Sequence, residues 1–336
     1  MDTDTNNKSV PSAFIWRRLH SLMGLWLVLF LMEHLLVNSQ AALLLGESGK
    51  GFVHAVNAIH NFPYLQVIEI TLLGVPIFIH LVWGIKYLLT AKPNSNPTSG
   101  ASPSLTKYAR NHAYTWQRIT SWILVIGLTG HIVKFRFLEY PDSISQGVTS
   151  SYFVKLKIDN GLYTVAERLK AQLYDQQAIE REKEELNKRR DEQALVNAAE
   201  KLRKGPDSHT YDSQKAVILT AAQDFEERKA WVAKLDAKPL AAGEVIAVTD
   251  NFGTASLLVV RDTFKSPLYV GLYTIFVLAA CFHAFNGLWT FLITWGIVLR
   301  MSAQKATVKM AVALMLLVTF LGLISIWGTY WVNLRS

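Results

Sequence analysis

Five apolar runs punctuate the chain, and each is long enough to cross a bilayer as a helix, since about 20 residues at 1.5 Å rise span roughly 30 Å. The pattern predicts helix 1 from about Trp16 to Asn38, helix 2 from about Tyr64 to Thr90 and helix 3 from about Asn111 to Phe135. Helix 4 is expected from Pro267 to Leu299, and helix 5 from about Met310 to Leu334 after a basic turn of Arg300, Lys305 and Lys309. Residues 136–266 are hydrophilic and cannot be membrane. Within them SYFVKLKI alternates like a strand, and the charge-dense stretch Leu162 to Lys204 carries Val165, Leu169, Leu173, Ile179 and Leu186 at loose helical spacing. A second amphipathic stretch presents Val217, Ala221, Phe225, Val232 and Leu235, and EVIAVTDNFGTASLLVVRD reads as a hairpin with a Gly-containing turn. AKPNSNPTSGASPS, between helices 2 and 3, is a breaker-rich exposed loop.

The expected fold class is therefore an all-α membrane protein, a bundle of five transmembrane helices with a soluble α+β insertion between helices 3 and 4. Its parts are an N-terminal flank (1–15), helices 1–3 (16–135), the insertion of helical hairpin and short strands (136–266), and helices 4–5 (267–336). A hydrophobic share of 51% and a mean hydropathy of +0.20 agree with a polytopic protein carrying a soluble part. The formal charge of +8 does not imply nucleic acid, because no basic stripe interleaved with aromatics appears. Arg17, Arg18, Lys92, Lys107, Arg110, Arg118, Arg300, Lys305 and Lys309 gather on one side of the spans, against Lys134 and Arg136 on the other. Positive-inside bias makes the first side, with the N-terminus, cytoplasmic and the insertion extracytoplasmic. The polar start MDTDTNNKSVPSA lacks a signal-like arrangement. The single cysteine, Cys281, excludes an internal disulfide, a four-cysteine iron–sulfur site and a thioether-attached haem.

Ionisable residues deep in apolar spans are costly unless they face a protein interior and have a partner, so the histidines carry the functional question. Counting rise from the flanking arginines places His34 about 24 Å and His131 about 20 Å from the cytoplasmic edge, both in the outer half. His80 lies nearer the cytoplasm. His283, of less certain depth, is the intramembrane histidine left to join it. Two pairs at two depths suit bis-histidine haem ligation on facing helices. Gly84, Gly287, Gly127 and Gly130 lie within a turn of three of these histidines and would leave room for a ring edge. A lone intramembrane histidine is more often a proton relay or an interhelical hydrogen bonder, but four on four helices, with matching depths for at least one pair, reverse that weighting. A di-metal site would want one depth and nearby carboxylates.

RRLHSLMG with EHLLVN, IHLVWG, YARN followed by QRIT and GHIV, and FHAFNGLWTFLITWGI resemble the cytochrome b membrane-anchor subunit of succinate dehydrogenase/fumarate reductase, the five-helix, di-haem type. The resemblance covers the membrane part; the insertion is outside it. It implies two non-covalent haem b groups, with His34 and His131 as iron ligands of the distal one and His80 and His283 of the proximal one. It also implies electron flow from flavoprotein and iron–sulfur subunits to a membrane quinone, in the respiratory chain of a bacterial cytoplasmic membrane, with no succinate-oxidising site on this chain. His20 and Ser21, with Tyr114 or Arg118, would lie near propionates of the proximal haem. Arg17 and Arg18 would anchor at the lipid interface or dock the iron–sulfur subunit. Relatives carry a carboxylate before the Pro that precedes helix 2; here His60 and Asn61 stand there, and His60, able to titrate near neutrality, is the candidate proton-transferring group of a distal quinone site. Cys281 replaces an acidic residue of some fumarate reductases, which favours succinate:quinone reduction over quinol:fumarate reduction. A proton-coupled transporter with a histidine relay is the reading from another class.

Overall fold

The computed structural model describes residues 10–43, 47–90, 107–147, 149–204 and 213–336. Lys92 and the loop AKPNSNPTSGASPS fall outside them. The chain divides into two compact units: residues 1–137 with 264–332, and residues 138–263 with 333–336.

The first unit holds five helices long and apolar enough to cross a membrane: α1 (Ser12–Ser39), α3 (Leu65–Thr90), α4 (Ala109–Leu138), α10 (Pro267–Thr294) and α11 (Met301–Asn333), with the shorter α2 (Lys50–His60) between the first two. Helix α1 packs on α3, α10 and α11, and α10 packs on α4 and α11. Without water to drive helices together, close approach depends on small residues. Gly322 of α11 is such a point, since a Cβ there would come 2.6 Å from Val277 of α10 and 3.2 Å from Leu35 of α1. Outward positions remain apolar, with Ile126, Leu272 and Leu316 all exposed. In α3, Pro76 has no N–H to give the carbonyl four residues back, Leu72, and a π-helical turn spans Ile70–Gly74. The Trp26 indole of α1 donates to that carbonyl.

Two span limits differ from expectation. Helix α10 ends at Thr294, where Gly296 takes a left-handed conformation (φ 72°). Helix α11 then starts at Met301 after Arg300 in an extended cap, so Lys305 and Lys309 ride on the helix and not in a turn.

The second unit is a four-stranded antiparallel sheet, β1 (Asp142–Gln146), β2 (Thr149–Lys157), β3 (Gln172–Tyr174) and β4 (Glu244–Thr249), in the order β1-β2-β4-β3. Its helices are α5 (Leu162–Arg168), α6 (Gln176–Lys188), α7 (Arg190–Lys204), α8 (Ser213–Asp236) and α9 (Phe252–Phe264). Phe153 pairs with Val248 and Lys155 with Ile246 on one face, where Ile179 of α6 and Trp231, Val232 and Leu235 of α8 close the core. Val154, Leu156, Val245 and Ala247 form the opposite face and are buried too. A strand buried on both faces loses its alternation, which is why β4 reads as a continuous apolar run.

The expected hairpin over EVIAVTDNFGTASLLVVRD is corrected to a strand followed by a helix. Asn251 decides it, because its Oδ1 accepts the Thr254 N–H (2.8 Å) and caps α9 in place of a turn. The stretch Leu162 to Lys204 is not continuously helical either, since Lys170, at φ 55°, breaks it and β3 follows. Leu173 sits on that strand and joins its Gln172–Tyr174 pairing to β4. On α8, Phe225, Val232 and Leu235 are buried as the pattern implied, while Val217 is exposed.

Candidate functional site

His34, His80, His131 and His283 sit on α1, α3, α4 and α10. The structure brings them together two by two. The rings of His34 and His131 have centroids 5.8 Å apart with planes at 87°, and those of His80 and His283 are 6.2 Å apart at 82°. Two imidazoles bonded to one metal through about 2 Å bonds place their centroids about 6 Å apart, so both pairs have the span that a shared axial metal requires.

Hydrogen bonds fix which nitrogen of each ring is left for a metal, because a ligating histidine uses its second nitrogen to donate to a neighbour. The His80 Nδ1–H donates to the His20 carbonyl at 3.1 Å, leaving Nε2 unprotonated. His283 Nδ1 lies 3.4 Å from Ser121 Oγ, which itself donates to the Gln117 carbonyl at 2.7 Å and so is free to accept from the ring. His131 Nδ1 lies 3.3 Å from the Tyr273 hydroxyl. For His34 the ordering contact is the Phe30 ring, at 5.4 Å, while Asn38 donates to its carbonyl at 2.7 Å. With three of four Nδ1 atoms engaged, the donor chemistry fits two bis-imidazole metal centres such as haem irons.

Around His283, Gln117 of α4 donates to the His283 carbonyl at 3.1 Å and accepts from Asn286 at 2.8 Å. That side chain clamps α10 at its histidine. Gly24, to which the sequence pattern assigned no role, lets α1 approach the His80 ring: a Cβ there would lie 2.8 Å from Cε1. Of the glycines expected to leave space, Gly84, Gly287 and Gly130 have no neighbour nearer than 3.6 Å, whereas the face of Gly127 is filled by Phe276, 2.5 Å from a notional Cβ.

His20 stacks on His80 at 4.0 Å and 11°, and its Nδ1 is buried without a hydrogen-bond partner, an orphan that a bound acceptor such as a propionate would satisfy. Ser21 instead accepts from Trp295 Nε1 at 3.2 Å. Arg118 lies over the Tyr114 ring at 5.6 Å, and Arg18 donates to the Thr294 carbonyl. His60 is the last residue of α2, not part of a loop. Its burial lowers its pKa below the ordinary histidine value, with Glu69 opposing and Arg136 adding to the shift, which moves it away from neutrality. Arg136 pairs with Glu69 at 2.7 Å beside it. Cys281 is a buried free thiol.

Five candidate membrane-crossing helices among the described residues, four of which bring histidines together in two pairs, define a multi-pass helical membrane protein. The chain is similar to the succinate dehydrogenase cytochrome b558 subunit of Bacillus subtilis, 33% identical over 124 residues, which make up 37% of this chain and 55% of that protein. The chain thus spans about half the length of the curated relative it matches, and the resemblance drawn from the membrane motifs is borne out. No family model and no solved structure matches.

Proposed function

We propose that the chain is the di-haem cytochrome b anchor of a succinate:quinone oxidoreductase. It sits in a bacterial cytoplasmic membrane with its N-terminus inside and the 138–263 unit outside. The flavoprotein and iron–sulfur subunits carry the succinate chemistry and deliver electrons to it. The reading is carried by one observation above all: four histidines from four spans meet as two pairs at metal-sharing distance, 5.8 and 6.2 Å. The named relative adds the cytochrome b class.

His80 and His283 would hold the proximal haem and His34 and His131 the distal one. Haem b, when bound, supplies one-electron exchange between ferric and ferrous iron. The chain's own residues do the rest. His20 and Tyr273 fix ring orientation through the Nδ1 contacts, Ser121 and Gln117 hold His283 in register with His80, and the apolar spans exclude water. His20 Nδ1 offers a hydrogen bond to a propionate. Quinone reduction consumes protons, and His60, next to the Glu69–Arg136 pair, is the group we assign to proton delivery at a distal quinone site, although burial lowers its pKa rather than poising it near neutrality. Cys281 supplies no carboxylate for a transmembrane proton path, which favours succinate oxidation over the reverse, quinol:fumarate direction.

The test is spectral. The purified complex should show low-spin bis-imidazole b haem, and His80→Leu or His283→Leu should remove one haem and leave the other. A colourless preparation made with ample haem would reject the reading and return the histidines to a proton-relay transporter.

A further inference from the structure

Trp289 of α10 has a buried indole N–H that finds no hydrogen-bond partner among the described residues. A tryptophan near the end of a span ordinarily turns that N–H to water or headgroups, so a covered donor without an acceptor needs a reason. A cation lies against the same ring. The Arg110 guanidinium sits 5.2 Å from the Trp289 ring centroid, and its Nη2 donates to Gln304 Oε1 at 3.2 Å. Gln304 in turn donates to the Leu299 carbonyl at 3.2 Å. Arg110 is the second residue of α4 and Gln304 the fourth of α11. An orphan donor and a guanidinium whose acceptor among the described residues is a neutral amide therefore lie together where α4 and α11 begin.

Neither residues 107–138 nor residues 264–336 contain an Asp or Glu, so α4, α10 and α11 cannot supply Arg110 with a counter-charge. Lys107, Arg300 and Lys305 add to the positive charge at the same end. A phosphate diester matches these groups: it is an anion, it accepts from a guanidinium through two oxygens, and it keeps lone pairs for an indole N–H. A quinone carbonyl is neutral and would leave the charge unanswered. Farther along the span both helices expose apolar side chains, Ile119 and Ile126 on α4, Met310 and Leu317 on α11. Acyl chains suit that surface, and basic pockets between spans are where lipid head groups bind.

We propose that Arg110 and Trp289 form a binding site for the phosphate of an anionic phospholipid, at the end of the bundle where α4 and α11 begin. Arg110 takes the phosphate through its fork, and the Trp289 N–H donates to one of the same oxygens. Gln304 holds the guanidinium in place over the ring. The site stands whichever cofactor the histidines hold.

The experiment takes the full chain in detergent, stripped of lipid, and counts bound phosphatidylglycerol by native mass spectrometry over a range of lipid concentrations. Arg110→Gln should weaken binding about tenfold, the scale of one charge-assisted hydrogen bond. Trp289→Phe, which keeps a ring and removes the N–H, should weaken it by a similar factor. Lys309→Gln, about 140° around α11 from Gln304, should bind as the parent does. Phosphatidylcholine, which has no net charge, should bind about tenfold more weakly, and inorganic phosphate should not displace the lipid. Parent-like binding in Arg110→Gln or Trp289→Phe would overturn the proposal, as would equal binding of phosphatidylcholine. Equal weakening in Lys309→Gln would overturn it in favour of diffuse charge, and displacement by inorganic phosphate in favour of a soluble anion. Loss of the helical circular dichroism signal in both Arg110→Gln and Trp289→Phe would overturn it too, by making the two side chains structural.

Discussion

The insertion and the bundle are built on opposite plans, and the buried Arg261 of the insertion shows one of them. The Arg261 fork donates to both oxygens of Asp159, at 2.7 and 2.6 Å, and its Nε–H donates to the Leu334 carbonyl at 2.7 Å. Arg168 also donates to the carbonyls of Ser336 and Asn333, so residues 333–336 close into this unit. Here charge is matched by charge in fixed geometry around a continuous apolar core, as in a water-soluble protein. In the bundle the apolar surface points outward. The two units thus invert each other: one hides its apolar residues and anchors the chain with an ion pair, while the other exposes them and keeps its polar groups inside for function.

The largest effect should come from breaking the matched pair. Asp159→Leu leaves the Arg261 guanidinium buried without its carboxylate, which costs about 3–5 kcal/mol. The full chain should then show protease cleavage within residues 138–263 at a temperature where the parent resists, while absorbance from the bundle persists. Cleavage at the parent's rate would mean that the pair contributes packing and not charge compensation. Next in size is a test of the inverted surface. Ile126, 74% exposed near the middle of α4, faces outward from the bundle. Ile126→Lys should cost about 2.5–3.5 kcal/mol in membrane integration. Tyr163→Lys, at a 58% exposed position of the insertion, should change stability by no more than about 0.5 kcal/mol. A membrane-integration reporter that treats the two alike would remove the distinction between the units.

How far these features were legible depended on whether they are local. The spans could be read because twenty apolar residues admit few alternatives. Their ends could not: Lys305 and Lys309 looked like a turn, yet a lysine extends well on a helix, and the stop was set by Gly296. In the insertion, an apolar run after a strand suits either a second strand or a buried helix, and one Asn251 hydrogen bond decided for the helix. The His34–His131 pair was foreseeable from depth, since rise per residue is fixed, while His283 fell to His80 only as the intramembrane histidine left over. What holds them was not. Gly24 against His80, Tyr273 on His131 and the reach of Gln117 to the His283 carbonyl depend on how each helix is rotated about its axis, which spacing along one chain does not encode. Gly127 shows the converse, because a site that seemed open for a cofactor is packed by a phenylalanine from the next helix.

The smallest effect concerns pH, and it should separate the units because it acts on a carboxylate of the insertion. Burial alone would raise the Asp142 pKa, but hydrogen bonds and charge from Lys238 (2.5 Å) and Lys234 (3.0 Å) more than offset it, and the net shift is downward from 3.8. A carboxyl whose folded pKa is depressed contributes stability that is fully present above its unfolded value and disappears as pH falls through the folded one. Glu244 is shifted the same way by the Ala241 N–H and by Lys155. Asp142→Asn should therefore destabilise the insertion at pH 7 by no more than about 1 kcal/mol, since all three partners are about a third exposed and screened by solvent. The gap between variant and parent should close as pH drops below about 4. Unfolding followed by the fluorescence of Trp231, which lies in the insertion core, across pH 7 to 2.5 would measure it. A gap that stays constant over that range would mean that Asp142 acts through shape and hydrogen bonding rather than through its charge.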